Sequence, residues 1–233
     1  ESHRYSRSGR LVEVGLGGDV NVDNSALALA VVEQLAVERP SIDLDTAVVG
    51  LAEIDAVRGR FEVVAHPVAE LGGFSVVVDY AHTPDGLEVV LTSARHIAAG
   101  RVIAVFGCAG RRDREKRAPM GEIAARLADV AFATSDNPRG EDPVEIIDDV
   151  LRGVADQYRS RVTSEPDRRS AIASAVGIAE RGDVVVIAGK GHETTQDLGN
   201  GEIVDFDDRA VVAEELTALG RTRPEPRTSQ DSP

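Results

Sequence analysis

Phe74-Ser75-Val76-Val77-Val78-Asp79-Tyr80-Ala81-His82-Thr83-Pro84-Asp85 passes from an apolar β-branched run into a polar loop and on to a proline-led helical pattern. A run that is apolar at consecutive positions suits a strand covered on both faces. Pro84 suits the first turn of a helix, where the N–H it lacks would have no partner. The unit then repeats. Apolar runs at 74–79, 101–106, 130–134 and 183–188 are followed by helical patterns at 84–99, 114–128, 143–158 and 207–219, and a further helix at 168–179 precedes the last run. Strands alternating with helices of about 10 to 15 residues predict βαβ units, hence an α/β fold with a mostly parallel sheet and helices on both faces.

Upstream of this repeat, residues 11–16 read as a short strand, Gly17 and Gly18 as a loop, and 25–37 and 43–54 as helices. Val57-Arg58-Gly59-Arg60 breaks the pattern and predicts a linker, so the chain divides into 1–56, 57–220 and a Pro-, Ser- and Thr-rich tail, 221–233, expected to be disordered. Hydrophobic residues make up 42% and charged residues 28% of the 233, an ordinary balance for a folded protein. The formal net charge of −14 argues against nucleic acid or an anionic membrane as the main partner. A single cysteine, Cys108, rules out an internal disulfide framework and fits a reducing, cytoplasmic setting. No run of about 18 apolar residues predicts a membrane span. Glu1 is preceded by no methionine and followed by no secretory pattern, which predicts processing upstream or a piece of a longer chain.

Four loops should open on one edge of the sheet, the edge where parallel sheets bind ligands. They are 79–85, 107–113, 136–139 and 189–193, and each holds ionisable residues. Asp79, at the end of an apolar strand, is either a helix cap with Thr83 or a carboxylate facing a cleft. The second loop sets Gly107 and Gly110 beside Arg111, Arg112, Arg114, Lys116 and Arg117. Those cations make either an anion site at a helix start near Arg114 or a solvated basic face capped by Asp113. It is not a Walker A loop, since no Gly-Lys-Ser/Thr follows. In Asp136-Asn137-Pro138-Arg139 the proline stiffens the turn and presents Asn137 and Arg139 in a set relation, the arginine suited to a carboxylate. Gly189-Lys190-Gly191-His192-Glu193 ends an apolar strand, and Glu193 suits a substrate ammonium.

Taken in order, these loops, with Asn21-Val22-Asp23-Asn24-Ser25-Ala26-Leu27-Ala28 and Gly59-Arg60-Phe61-Glu62, resemble the Mur ligases over residues 18–219, and within them the members that add meso-diaminopimelate. The resemblance implies a Rossmann-like carboxyl-terminal domain at 57–220, preceded at 1–56 by the end of a central ATPase domain. It implies ATP contacts at Asn21, Asn24, Arg60, Asp79 and His82, and diaminopimelate contacts at Arg112, Asn137, Arg139, Gly189 and Glu193, with Asp136 and Pro138 shaping the recognition loop. It also implies the reaction. ATP phosphorylates the D-glutamate carboxylate of UDP-MurNAc-L-Ala-D-Glu, and the diaminopimelate amine attacks the acyl phosphate. Mg2+ accompanies ATP, its ligands lying mostly in domains upstream. The P-loop of the family is not among these residues, so the chain alone is expected to be inactive. Two rival readings are another ligase of the superfamily, of the lysine-adding, folylpolyglutamate or cyanophycin type, and a non-catalytic binding module; the 136–139 loop argues against the first.

Overall fold

The computed structural model describes residues 3–7, 10–14, 16–54, 56–65 and 73–220; the tail at 221–233 lies outside the described residues. The chain opens with an antiparallel hairpin of β1 (His3–Arg7) and β2 (Arg10–Val14), a two-stranded sheet of its own. Two helices follow, α1 (Asp19–Glu38) and α2 (Leu44–Glu53). Asp43 caps α2 by accepting from Asp45 N at 3.1 Å. The helix expected at 25–37 thus begins six residues earlier, where Gly18, at φ 85°, lets the chain turn in against the Phe61 ring.

The main body is a six-stranded sheet in the order β3 (Glu62–Ala65), β4 (Ser75–Asp79), β8 (Val184–Ala188), β5 (Val102–Cys108), β6 (Val130–Ser135), β7 (Val162–Ser164). All neighbours are parallel except β3, which pairs antiparallel with β4 at the edge. Successive side chains point to opposite faces, and the sequence supplies apolar ones on both. Val77, Val186, Ala104 and Phe106 face α3 (Pro84–Ile97), α4 (Arg117–Leu127) and α5 (Pro143–Leu151), packing with Leu87, Leu91, Met120 and Ile147. Val76, Val185, Ile103 and Val105 face the opposite layer, where α6 (Arg168–Gly177) brings Ile172 and Val176 and α7 (Asp208–Ala218) brings Val211 and Val212. Each large aliphatic side chain so enclosed contributes about 1.5–3 kcal/mol relative to exposure. The sheet is doubly covered, as the repeat predicts.

Two further expectations are revised, and several strands are new. The helix expected at 114–128 starts at Arg117; Asp113 accepts from Glu115 N at 2.9 Å, closing a turn ahead of the helix rather than capping it. The helical pattern at 143–158 breaks after Leu151 and resumes as a 3-10 turn, Asp156–Arg161. At the break Gly153 lies so close to the Ala118 backbone that any side chain would collide with it. The short strands β3 and β7, and a separate hairpin of β9 (Thr195–Gly199) and β10 (Glu202–Asp205), were not expected at all.

The parallel arrangement sends the loops after β4, β5, β6 and β8 to one edge. The chain steps from β4 across to β5, β6 and β7 with α3, α4 and α5 on one face, then returns with α6 on the other face to insert β8 between β4 and β5. Loops 79–83 and 189–193 are therefore neighbours although about half the chain separates them.

Candidate functional site

Asp79 ends β4 half buried, and burial pushes its carboxyl above the usual carboxylate range against the pull of two backbone donors. Those donors are Phe61 N at 2.6 Å and Ala81 N at 2.7 Å, so Asp79 fastens the turn at 57–60 to the strand end. It is not a helix cap. That role belongs to Thr83, whose hydroxyl accepts from Gly86 N at 3.2 Å, with Pro84 in the first turn. Between them Tyr80 forms a platform. The Arg60 guanidinium lies 4.5 Å over its ring, the His82 ring meets it edge-on at 4.6 Å, and the His192 ring lies at 5.1 Å. His82 Nδ1 donates to Tyr80 O at 2.8 Å, setting the ring's orientation. Asn21, buried on α1, donates to Gly17 O at 2.7 Å. These groups surround a cavity of about 250 Å³ whose walls include Asn21, Asn24, Arg60, Asp79 and His82.

A second cavity, of about 500 Å³, shares Tyr80, His82 and Thr83 with the first. Its walls carry Arg112, Lys116, Asp136, Asn137, Arg139, Gly189 and Glu193. Asn137 Nδ2 donates to Glu193 Oε2 at 3.0 Å, while its Oδ1 accepts from Asp197 N at 2.9 Å and from the Lys190 ammonium at 3.3 Å. Burial alone would raise the Glu193 carboxyl, but the Asn137 hydrogen bond and the Lys190 charge outweigh it and hold the group below its usual value. Asp136 is the opposite case: burial pushes it up, though Arg168 and Lys190 pull it down. Its Oδ2 would sit 2.8 Å from a side chain at Gly189, whose φ of 118° also favours glycine. Arg139 occupies left-handed backbone at φ 50°, tied by its N to Asp197 O at 3.0 Å, with its guanidinium 3.6 Å from the Asp197 carboxylate. The lining thus mixes cations at Arg112, Lys116 and Arg139 with acids at Asp113, Asp136 and Glu193, a composition suited to a zwitterion bearing more than one carboxylate.

The five residues expected to contact ATP all line the first cavity, and six of the seven assigned to the amino acid line the second. Pro138 lines neither; its carbonyl accepts from Glu141 N at 2.9 Å and closes the turn that carries Arg139. The basic patch does not act as one anion site. Arg117 is buried between Glu141 and Asp149, both at 2.9 Å, and Arg114 pairs with Asp149 at 2.8 Å, so these cations hold α4 to α5. Lys116 Nζ instead donates to His82 O at 2.7 Å, linking the second loop to the first. Cys108 is buried and its thiol pushed up to about 12, so it is no nucleophile at neutral pH.

Sequence reading assigned no role to Tyr80, Lys190, Gln196 or Asp197. Lys190 carried a signal, a cation at the end of a wholly apolar strand. Gln196, which donates to Asp136 O at 2.6 Å, carried none, because the hairpin that presents it has no strong period. Among the described residues no group of three His, Cys, Asp or Glu side chains could hold a metal ion, and no helix is long and apolar enough to cross a membrane.

The family described as "Mur ligase, glutamate ligase domain" matches residues 59–191. The UDP-N-acetylmuramoyl-L-alanyl-D-glutamate--2,6-diaminopimelate ligase of Geobacillus kaustophilus is 48% identical over 201 residues, 86% of this chain and 39% of the relative. A solved structure of a ligase with the same name superposes with a TM-score of 0.67 at 38% identity, covering 95% of this chain and 43% of the other. UDP-N-acetylmuramate-alanine ligase from Thermotoga maritima, at 17% identity and a TM-score of 0.60 over 90% of this chain and 40% of that one, shares the fold. The chain spans about two fifths of the length of the curated relatives it matches. With its family match covering more than half of its length, and with a mostly parallel sheet carrying the four loops on one edge, the chain belongs to the Mur ligase family.

Proposed function

We propose that this chain is the amino-acid-binding part of an ATP-dependent ligase that joins meso-diaminopimelate to the D-glutamate of UDP-MurNAc-L-Ala-D-Glu in the cytoplasmic stage of peptidoglycan synthesis. Residues 1–56 are then the end of an ATP-binding domain and 57–220 the amino-acid domain. The observation that carries the reading is the pair of adjoining cavities, one lined by Asn21, Asn24, Arg60, Asp79 and His82, the other by Arg112, Arg139 and Glu193 among others, with Tyr80 lining both. The names of the similar ligases support the choice of substrates.

In this reading the first cavity holds one side of the nucleotide, with the Arg60 guanidinium near its phosphates. The second grips the amino acid: Arg139 and Arg112 take its carboxylates and Glu193 an ammonium. Charge-assisted contacts at both ends of the molecule leave its other amine directed toward the shared wall, where an acyl phosphate would be attacked and phosphate expelled. The contribution of this chain is orientation, which converts a two-molecule encounter into a reaction between held partners. Magnesium belongs to such a transfer; with no group of three His, Cys, Asp or Glu side chains among the described residues able to hold a metal ion, its protein ligands lie, in this reading, mostly in domains upstream.

Calorimetric titration of the chain with meso-diaminopimelate, L-lysine and L-glutamate tests the substrate class. Diaminopimelate should bind best, because lysine lacks the carboxylate for Arg139. Arg139 already has a partner in Asp197, so Arg139→Ala should cost about 1.5–3 kcal/mol, the value of hydrogen bonds to charged groups, rather than a full buried-pair loss. Lysine binding should change little. Equal affinity of the unmutated chain for lysine and diaminopimelate would refute the assignment.

A further inference from the structure

Beneath the second cavity lies a cation that does not line it. Lys190 is completely buried, and its ammonium reaches Thr195 O at 2.5 Å, Glu193 Oε2 at 3.2 Å and Asn137 Oδ1 at 3.3 Å. Three acceptors match the three donors of an ammonium, so Lys190 has no donor left for a ligand. The same contacts determine what its neighbours can offer. Asn137 spends Oδ1 on Lys190 and on Asp197 N, and turns Nδ2 to Glu193 Oε2. Glu193 Oε2 is thereby doubly engaged, and Oε1 is the oxygen left for a guest.

We propose that Lys190 is a positioning residue for amino-acid recognition: from below the cavity it holds Glu193 ionised, with Oε1 presented to the substrate ammonium, and sets the rotamer of Asn137. The proposal rests on the reading of the second cavity as an amino-acid site. A half-buried carboxylate is costly to ionise unless paired, and a cation behind it keeps the face toward the ligand negative without placing a positive charge in the ligand's way. Other charges act on Glu193 as well. His192 is adjacent in the loop, and Asp136 and Arg168 interact with it from the carboxyl end of β6 and from α6. Arg168 is already committed to Asp208, at 2.8 Å through two nitrogens, and to Ala188 O at 3.1 Å. Among the described residues, Lys190 is the cation that hydrogen-bonds the Glu193 carboxylate.

The first measurement needs no ligand and no substitution. In the unmutated chain, acid titration of Glu193 followed by its carboxyl 13C resonance should move the Lys190 Nζ 15N resonance with the same midpoint; an Nζ signal blind to Glu193 protonation overturns the proposal. The second uses meso-diaminopimelate binding as a function of pH. Lys190→Met, and Lys190→Gln, which keeps a donor for Thr195 O, should lower affinity about tenfold or more and move the acid limb of binding to higher pH. In a Glu193→Gln background the same substitutions should cost much less. Equal losses with and without Glu193, or an unmoved acid limb, would make Lys190 a structural residue only. Failure of the unmutated chain to bind diaminopimelate, with the two resonances still coupled, would instead remove the substrate reading and leave the Lys190–Glu193 linkage standing as a property of the fold.

Discussion

At the scale of single residues, the site is governed by carboxylates whose surroundings push them in opposite directions. Burial holds Asp136 protonated to higher pH than in the unfolded chain. The fold therefore binds the extra proton, and the associated stability is full below the unfolded value of about 4 and lost as pH rises through the folded one. Glu193, held low by Asn137 and Lys190, acts the other way: its contribution is present above its unfolded value and lost as pH falls through the folded one. Asp136→Asn removes the first effect while keeping the shape beside Gly189. Its melting temperature should exceed that of the unmutated chain at neutral pH, and the difference should vanish below about pH 4. A variant less stable at neutral pH would mean that the attraction of Arg168 and Lys190 outweighs burial.

At the scale of elements, the loops are held by structure outside the main sheet. The β9–β10 hairpin binds the turn that carries Arg139 through Arg139 N to Asp197 O at 3.0 Å and Gly140 N to Leu198 O at 2.9 Å. Gly199 makes this approach possible; at φ 100° it packs on the Gly140 backbone, where a side chain would collide. Gly199→Val should displace the hairpin and reduce diaminopimelate binding at least about tenfold while cooperative unfolding persists, since the six-stranded sheet is untouched. Gly201→Ala, at positive φ but in open space, is the control and should retain binding. Unchanged binding in Gly199→Val would detach the hairpin from the site. Helix α3 gives a complementary case. Thr83 caps it and lines both cavities, so Thr83→Ala should destabilise the chain by about 0.5–2 kcal/mol in urea unfolding. No change would mean that the cap bond at 3.2 Å is idle.

At the scale of the whole molecule, the turn at 57–60 brings the two cavities side by side. Tyr80 N donates to Gly59 O at 2.9 Å, Arg58 pairs with Asp207 at 3.0 Å, and Gly191 is pressed so close to Tyr80 that a side chain there would come within 2.7 Å of its Cβ. The described loops nevertheless supply no phosphate cradle, and two of the five cations in the second loop are spent on α5 and the turn before it. Stabilising a transferring phosphoryl group depends on such preorganised charge. With ATP, Mg2+, UDP-MurNAc-L-Ala-D-Glu and meso-diaminopimelate all present, this chain by itself should release no phosphate above the buffer background. Turnover by material freed of host enzyme would contradict that.

The doubly covered parallel sheet was legible in Phe74 to Asp79 and its three repeats, because strands buried on both faces must be apolar at successive positions and the helices between them must show one apolar side. The loops that form the cavities were legible too, since ionisable residues at the ends of such strands are costly without a purpose. The short edge strands and the β9–β10 hairpin were not, because half-exposed strands of three to five residues carry too little pattern to separate from loop. Nor did the row of cations from Arg111 to Arg117 reveal its division. Arg117 turns inward to Glu141 and Asp149, Lys116 to His82 O, and Arg112 to the cavity. The amino-acid sequence by itself determined the main strands and helices of the doubly covered sheet and which residues arrive at its edge, since both follow from local periodicity and strand direction. Only the tertiary structure decided which charges are consumed by one another and which are left facing a ligand, because ion pairing depends on distances between elements far apart in the chain.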